Sequence, residues 1–291
     1  MKTVFCSLFY FVVFALLGGH LMAQKRANDI IINLWPSGLP NTNELDKAPF
    51  DDTKGNFEPS IYLYLPQPER ATGRAVLACP GGAYENVEYR YEGSDWAPFF
   101  NDLGIALIVL KYRVPNGNRE VPFSDAEKAL KMIRDSAQIW NINPNDVGIM
   151  GSSAGGHLAS TMATHVSPDL RPNFQILFYP VISMDKKYTH MGSHHNLLGA
   201  EATSALEELY SNEKQVTPNT PPAFIAFSDD DKVVSPVNGL KYYEALHENG
   251  VSSVLYVFPS GGHGWGFKDS FIYKKQLLGV LKDWLYCIAE P

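Results

Sequence analysis

The pentapeptide Gly151-Ser152-Ser153-Ala154-Gly155 lies between a short strand-like run at residues 147–150 and a small-residue, helix-compatible run at 154–164. That arrangement leaves the chain few options. Glycine at each end lets the backbone reverse sharply and lets the flanking elements approach closely. A serine inside such a turn takes a strained conformation, and its oxygen is held out beyond the end of the strand. The local prediction is a strand feeding directly into a helix, the repeating unit of a parallel sheet.

The rest of the chain repeats that unit. Strands are predicted at 61–65, 75–79, 105–110, 174–179, 222–227 and 254–258. The run at 105–110 is apolar throughout, the sign of a strand buried on both faces. Helices are predicted at 93–103, 122–140, 235–247 and 269–288. In the second, Pro122 stands near the start and Ala126, Ala129, Leu130, Ile133 and Ala137 recur at helical spacing. Residues 24–58, rich in Asn, Pro, Asp and Gly, read as an extended arm with one strand at 30–34. Residues 183–219 are polar and read as a short lid-like insertion over the sheet's upper edge, with one helix near 202–210. The expectation is one α/β domain over 24–291, a mostly parallel sheet with helices on both faces.

Residues 1–23 stand apart. Lys2 precedes an almost unbroken apolar run at 4–17, and Leu21-Met22-Ala23 offers a small residue for cleavage. The run is too short to span a bilayer, which needs about 20 residues, so it reads as a secretory signal peptide cut near Ala23. Nothing after it is apolar for long enough to insert stably in a membrane. The chain has 291 residues and a net charge of −7, with no dense Lys/Arg cluster, which argues against a nucleic-acid partner. Cys6 falls in the leader, and Cys79 and Cys287 read as buried free thiols.

A serine hydroxyl needs a general base, and the base needs a carboxylate to orient it. His263, in Gly261-Gly262-His263-Gly264-Trp265-Gly266, follows the late strand at 254–258 and can swing over Ser153. His157, four residues after Ser153 on the same helix, points away and reads as a packing or hydrogen-bonding residue. Asp229-Asp230-Asp231 follows the strand at 222–227, at the end of a parallel strand where such an acid belongs; spacing alone does not choose among the three. The order Ser, Asp, His is that of an α/β-hydrolase. Cys79-Pro80-Gly81-Gly82-Ala83-Tyr84 follows the strand at 75–79 and is poor in side chains. The amide of Gly82 or Ala83, with that of Ala154 at a helix N-terminus, can face a developing oxyanion. Tyr84 and Trp265 are predicted near the mouth, placed to stack on a ring of the substrate. The pair His190/His194, with His195, fits zinc weakly; no nearby carboxylate completes a set, and neither metal nor organic cofactor is expected.

These residues resemble the α/β-hydrolase superfamily, and within it bacterial secreted esterases of the acetyl-xylan esterase type. The resemblance runs from about residue 65 to 285. It rests on Cys-Pro-Gly-Gly-Ala-Tyr at 79–84, Lys-Tyr-Arg-Val-Pro at 111–115, Asp125-Ala126-Glu127 through Arg134, and Gly-Ser-Ser-Ala-Gly-Gly-His-Leu-Ala at 151–159. It also rests on Gly192-Ser193 with Leu197-Leu198-Gly199, Pro221-Pro222-Ala223-Phe224, Asp231-Lys232-Val233-Val234 and Gly-Gly-His-Gly-Trp-Gly at 261–266. The resemblance implies Ser153 as nucleophile, His263 as base and, from the acid preceding x-Val-Val, Asp231 as its partner. Ala83 stands where the family often has glycine. Ester hydrolysis is implied more firmly than xylan. Acetylated carbohydrate is the expected substrate, a general short-chain carboxylesterase or feruloyl esterase the alternative, and a non-catalytic binding protein the remote one.

Overall fold

The computed structural model describes residues 30–288, so the predicted leader lies outside the described residues. Eight strands form one sheet: β1 (Ile30–Asn33), β2 (Ser60–Tyr64), β3 (Ala75–Cys79), β4 (Ala106–Lys111), β5 (Val147–Ser152), β6 (Gln175–Phe178), β7 (Ala223–Ser228) and β8 (Ser253–Phe258). Their order is β1-β2-β4-β3-β5-β6-β7-β8. β1 and β2 pair antiparallel at one edge, and every pairing from β4 to β8 is parallel. Every residue of β3, β5, β6 and β7 is buried, so both faces of the sheet's centre are covered.

The covering helices are α1 (Ala97–Asp102), α2 (Glu120–Asp135), α3 (Ala137–Trp140), α4 (Ala154–His165), α5 (Met191–Leu198), α6 (Ser204–Leu209), α7 (Val237–Glu248) and α8 (Lys274–Cys287). Two predicted helices differ from expectation. The run at 122–140 divides at Ser136 into α2 and α3, and the closing helix starts at Lys274, after turns at 269–273. The insertion holds α5 as well as the predicted α6. Asn212, wholly buried, anchors it to α4 through bonds from Nδ2 to the Ser160 hydroxyl (2.7 Å) and the His157 carbonyl (3.2 Å). Among the described residues, Cys79 and Cys287 form no disulfide. Cys79 is in the core as predicted; Cys287, expected to be buried, is exposed at the last residue of α8.

Two quoted motifs meet as a buried ion pair. Arg113, just past β4, directs Nη2 and Nε onto the two oxygens of Asp125 in α2, at 2.7 and 3.0 Å. Neither side chain is exposed. The arm closes the network: Trp35 Nε1 donates to Asp125 Oδ1 (2.7 Å), and Arg113 Nη1 donates to the Asn41 carbonyl (2.8 Å) and to Asp46 (3.2 Å). Removing one member leaves a desolvated charge behind. Asp125→Ala is therefore expected to lower unfolding stability by about 3–5 kcal/mol, or roughly 10 °C in Tm. Urea titration at neutral pH measures this; a loss under about 1 kcal/mol would show that Asp46 alone suffices to pair Arg113.

Candidate functional site

The parallel strands point their C-terminal ends at one edge of the sheet, and three separate segments meet there. Ser153 follows β5 at φ 53°, ψ −124°, a backbone conformation strained for any residue but glycine. The flanking glycines are obligatory: a Cβ at 151 would overlap the Gly155 carbonyl, and one at 155 would overlap the Cys79 carbonyl. The Ser153 amide is fixed by donating to the Phe178 carbonyl at 3.0 Å. With its backbone pinned, the side chain projects past β5 and is 7% exposed.

The Ser153 hydroxyl lies 2.8 Å from His263 Nε2, and His263 Nδ1 lies 2.7 Å from Asp231 Oδ2. Asp231 is buried, and its other oxygen accepts from the amides of Val233 (2.9 Å) and Val234 (3.0 Å). Four acceptor and donor positions are thereby assigned. The carboxylate accepts a hydrogen bond from Nδ1–H, which leaves Nε2 as an acceptor for the serine hydroxyl. This geometry also separates the three aspartates. Asp229 is exposed and only its amide is engaged, with the Phe258 carbonyl. Asp230 Oδ1 accepts the Gly262 amide at 2.8 Å, bracing the loop that carries His263. Only Asp231 reaches the imidazole. Sequence reasoning had no signal for the brace from Asp230.

The turn 80–84 lies beside Ser153. Gly82, Ala83 and Tyr84 have positive φ values of 127°, 57° and 59°. Among the described residues, the amides of Gly82, Ala83 and Ala154 donate to no backbone or side-chain acceptor, so all three remain available to a ligand. The insertion supports this turn: Asn196 of α5 donates from Nδ2 to the Ala83 carbonyl at 2.9 Å.

Two expectations are corrected. Tyr84 and Trp265 do not stand at the mouth; they are 1% and 3% exposed. The positive φ at Tyr84 turns its ring inward, where its hydroxyl meets His157 Nδ1 at 2.9 Å. Trp265 stacks on Phe271 with ring centroids 4.4 Å apart and donates from Nε1 to Ser228. Neither can stack on a sugar. Two of the three histidines of the insertion have partners: His190 caps α5 by accepting the Ser193 amide, and His194 bonds Glu207 at 2.9 Å. Among the described residues no cluster of three metal-ligating side chains occurs.

His157 is a wholly buried hydrogen-bonding residue, with Nε2 2.8 Å from the Tyr210 carbonyl. Burial holds its pKa down to about 4, against the ordinary 6.5. Its contribution to stability is complete above pH 6.5 and is lost as pH falls toward 4, because only the unfolded chain takes up the proton in that window. Between pH 7.5 and 4.5 the wild type should lose about 2–3 kcal/mol that His157→Gln does not. Equal losses in the two proteins, by urea unfolding, would contradict a buried neutral imidazole.

Comparison with known proteins bears on the fold and the family. A family described by the alpha/beta hydrolase fold matches residues 96–267. The acetylxylan esterase of Xylanibacter ruminicola is 46% identical over 228 residues, covering 77% of this chain and 48% of that protein. Endo-1,4-beta-xylanase B of Butyrivibrio fibrisolvens is 35% identical over 225 residues, 72% of this chain and 35% of that one. The chain thus spans about half or less of the length of these two relatives. The crystal structure of an acetyl ester-xyloside bifunctional hydrolase from Caldicellulosiruptor lactoaceticus superposes with a TM-score of 0.78 at 32% identity, over 89% of this chain and 96% of that one. By the match over 96–267 and a relative matched over nearly its whole length, the chain belongs to the alpha/beta hydrolase family.

Proposed function

We infer that this protein is an exported serine esterase that removes acetyl and other short acyl groups from plant polysaccharides or oligosaccharides, acetylated xylan foremost. The observation that carries the reading is the hydrogen-bonded run from Ser153 through His263 to Asp231, at 2.8 and 2.7 Å. Ser153 attacks the ester carbonyl while His263 takes its proton. Asp231 holds the imidazole and stabilises its charged form. The amides of Ala154 and of Gly82 or Ala83 receive the oxyanion. The sugar alcohol leaves with the proton from His263. A water, deprotonated by the same imidazole, then attacks the acyl-enzyme, and His263 returns that proton to the Ser153 oxygen as acetate leaves.

The acetyl-xylan assignment is supported by the names of the relatives, an acetylxylan esterase and an acetyl ester-xyloside hydrolase. His263 opens on a cleft of about 330 Å³ whose polar lining includes Ser260, Lys268 and Ser270, and a separate polar cleft of about 730 Å³ adjoins Gly82 without reaching Ser153, Asp231 or His263. Export rests on the leader read from residues 1–23.

The test is acetate release from acetylated xylo-oligosaccharides, beside simple esters of lengthening acyl chain and a feruloylated sugar. The enzyme is taken from the culture medium or the periplasm, since the leader fits either destination, and its N-terminus sequenced. Preference for the acetylated sugar, with a chain beginning near Gln24, is the expected result. Cleavage of simple esters alone would overturn the substrate class and leave the hydrolytic chemistry standing. An uncleaved, cell-bound protein would overturn export.

A further inference from the structure

Glu92 lies outside the Ser153–His263–Asp231 run, yet its carboxylate is bonded to both segments that flank it. The residue is 3% exposed and sits between the turn 80–84 and α1. Its Oε2 accepts the Gly81 amide at 2.7 Å, and its Oε1 accepts the Tyr179 hydroxyl at 2.8 Å. That hydroxyl in turn accepts the Gly266 amide at 2.9 Å, and the Tyr179 ring meets the His263 ring edge-on, centroids 4.8 Å apart. Gly81 abuts the serine: a Cβ built there would stand 2.9 Å from Ser153 Cβ and 2.7 Å from the Ser152 carbonyl oxygen. Burial pushes the Glu92 pKa upward, opposed by these two donors and by the nearby His263.

We propose that Glu92 is a positioning residue for ester hydrolysis. It fixes the turn bearing Gly82 and Ala83 through Gly81, and the loop bearing His263 through Tyr179, so that oxyanion donors and base keep one geometry about Ser153. The proposal rests on the reading of Ser153 as an esterase nucleophile. The physical case is one of acceptor count. A carboxylate offers an oxygen to each arm, whereas an amide offers one oxygen and turns an N–H against the other donor. The arm it loses can shift. Oxyanion donors act on charge that exists only in the transition state, so a shift of the turn lowers kcat and leaves KM little changed. A merely structural role would register in thermal stability and not in that split.

The experiment compares wild type, Glu92→Gln and Tyr179→Phe in three measurements: kcat and KM on a short acyl ester, the rate of Ser153 labelling by a fluorophosphonate, and thermal unfolding. Glu92→Gln should lose about 30–300-fold in kcat and in labelling rate, with KM within about threefold. Tyr179→Phe keeps the carboxylate and the Gly81 bond, and should lose about 3–10-fold, again in kcat. Folded Glu92→Gln with wild-type kcat, or with its loss confined to KM, would overturn the proposal. Should Glu92→Gln not fold, unchanged kcat in Tyr179→Phe overturns it. A wild type that neither hydrolyses esters nor labels at Ser153 would remove the esterase reading and this proposal together; an active wild type with active variants removes only the proposal.

Discussion

Ser153→Ala is expected to lower kcat on a short acyl ester by about 10⁶-fold, leaving only what the oxyanion donors and substrate binding sustain. Folding should be unaffected to within about 1 kcal/mol, because the variant keeps the Cβ and gives up one hydrogen bond to His263. The strained φ of 53° is the same for alanine as for serine, so the turn gains no new strain. Acetate release and thermal unfolding, measured on the same preparation, separate the two effects. Labelling by a fluorophosphonate should vanish along with turnover. Wild-type rates in this variant would remove Ser153 from the chemistry altogether.

Asp231→Asn should be nearly as damaging, at about 10⁴-fold in kcat, for a reason that follows from the acceptors around it. Oδ1 of Asp231 faces two amides, those of Val233 and Val234. An asparagine will keep its carbonyl oxygen there and turn its NH₂ toward His263 Nδ1. The imidazole must then accept at Nδ1 and carry its proton on Nε2, pointing at the serine hydroxyl. A base already protonated on the working nitrogen cannot take the serine's proton. Asp230→Asn provides the control, since its oxygen only braces Gly262 and an amide oxygen can do the same. Its kcat should stay within about threefold. Comparable losses in the two variants would mean that the second aspartate also acts on the imidazole.

The parts of this molecule legible in the sequence are those fixed by local chemistry. The strand at 75–79 is found where its apolar run ends in Pro80, and the turn at 151–155 is where two glycines are sterically obligatory. What the sequence hid depends on tertiary context. Tyr84 and Trp265 flank loops beside the site, and only the direction of the backbone decides whether such a ring faces solvent or core. Positive φ at 84 sends one inward, and stacking on Phe271 holds the other. The α5 helix carries Gly, Ser, His and Asn, so periodicity is weak there; contacts from Asn196 and the cap at His190 hold it. Spacing alone does not separate three consecutive aspartates until His263 reaches Asp231 and the Gly262 amide reaches Asp230. Glu92 carries no motif of chemistry around it and gains its neighbours only when 81, 179 and 266 converge.

The dispersion of the three groups along the chain ties chemistry to the completion of assembly. Ser153 and His263 are 110 residues apart, and His263 follows the last strand to join the sheet's edge. In a chain emerging from synthesis Ser153 and then Asp231 appear before His263 has been made. Contacts at such separation close slowly compared with helices. A half-made or clipped chain therefore holds a serine that no base can activate, and hydrolytic competence switches on only when β8 has docked. Recovered activity in a refolding experiment is in consequence a clock for that final docking, running behind any signal that reports helix alone.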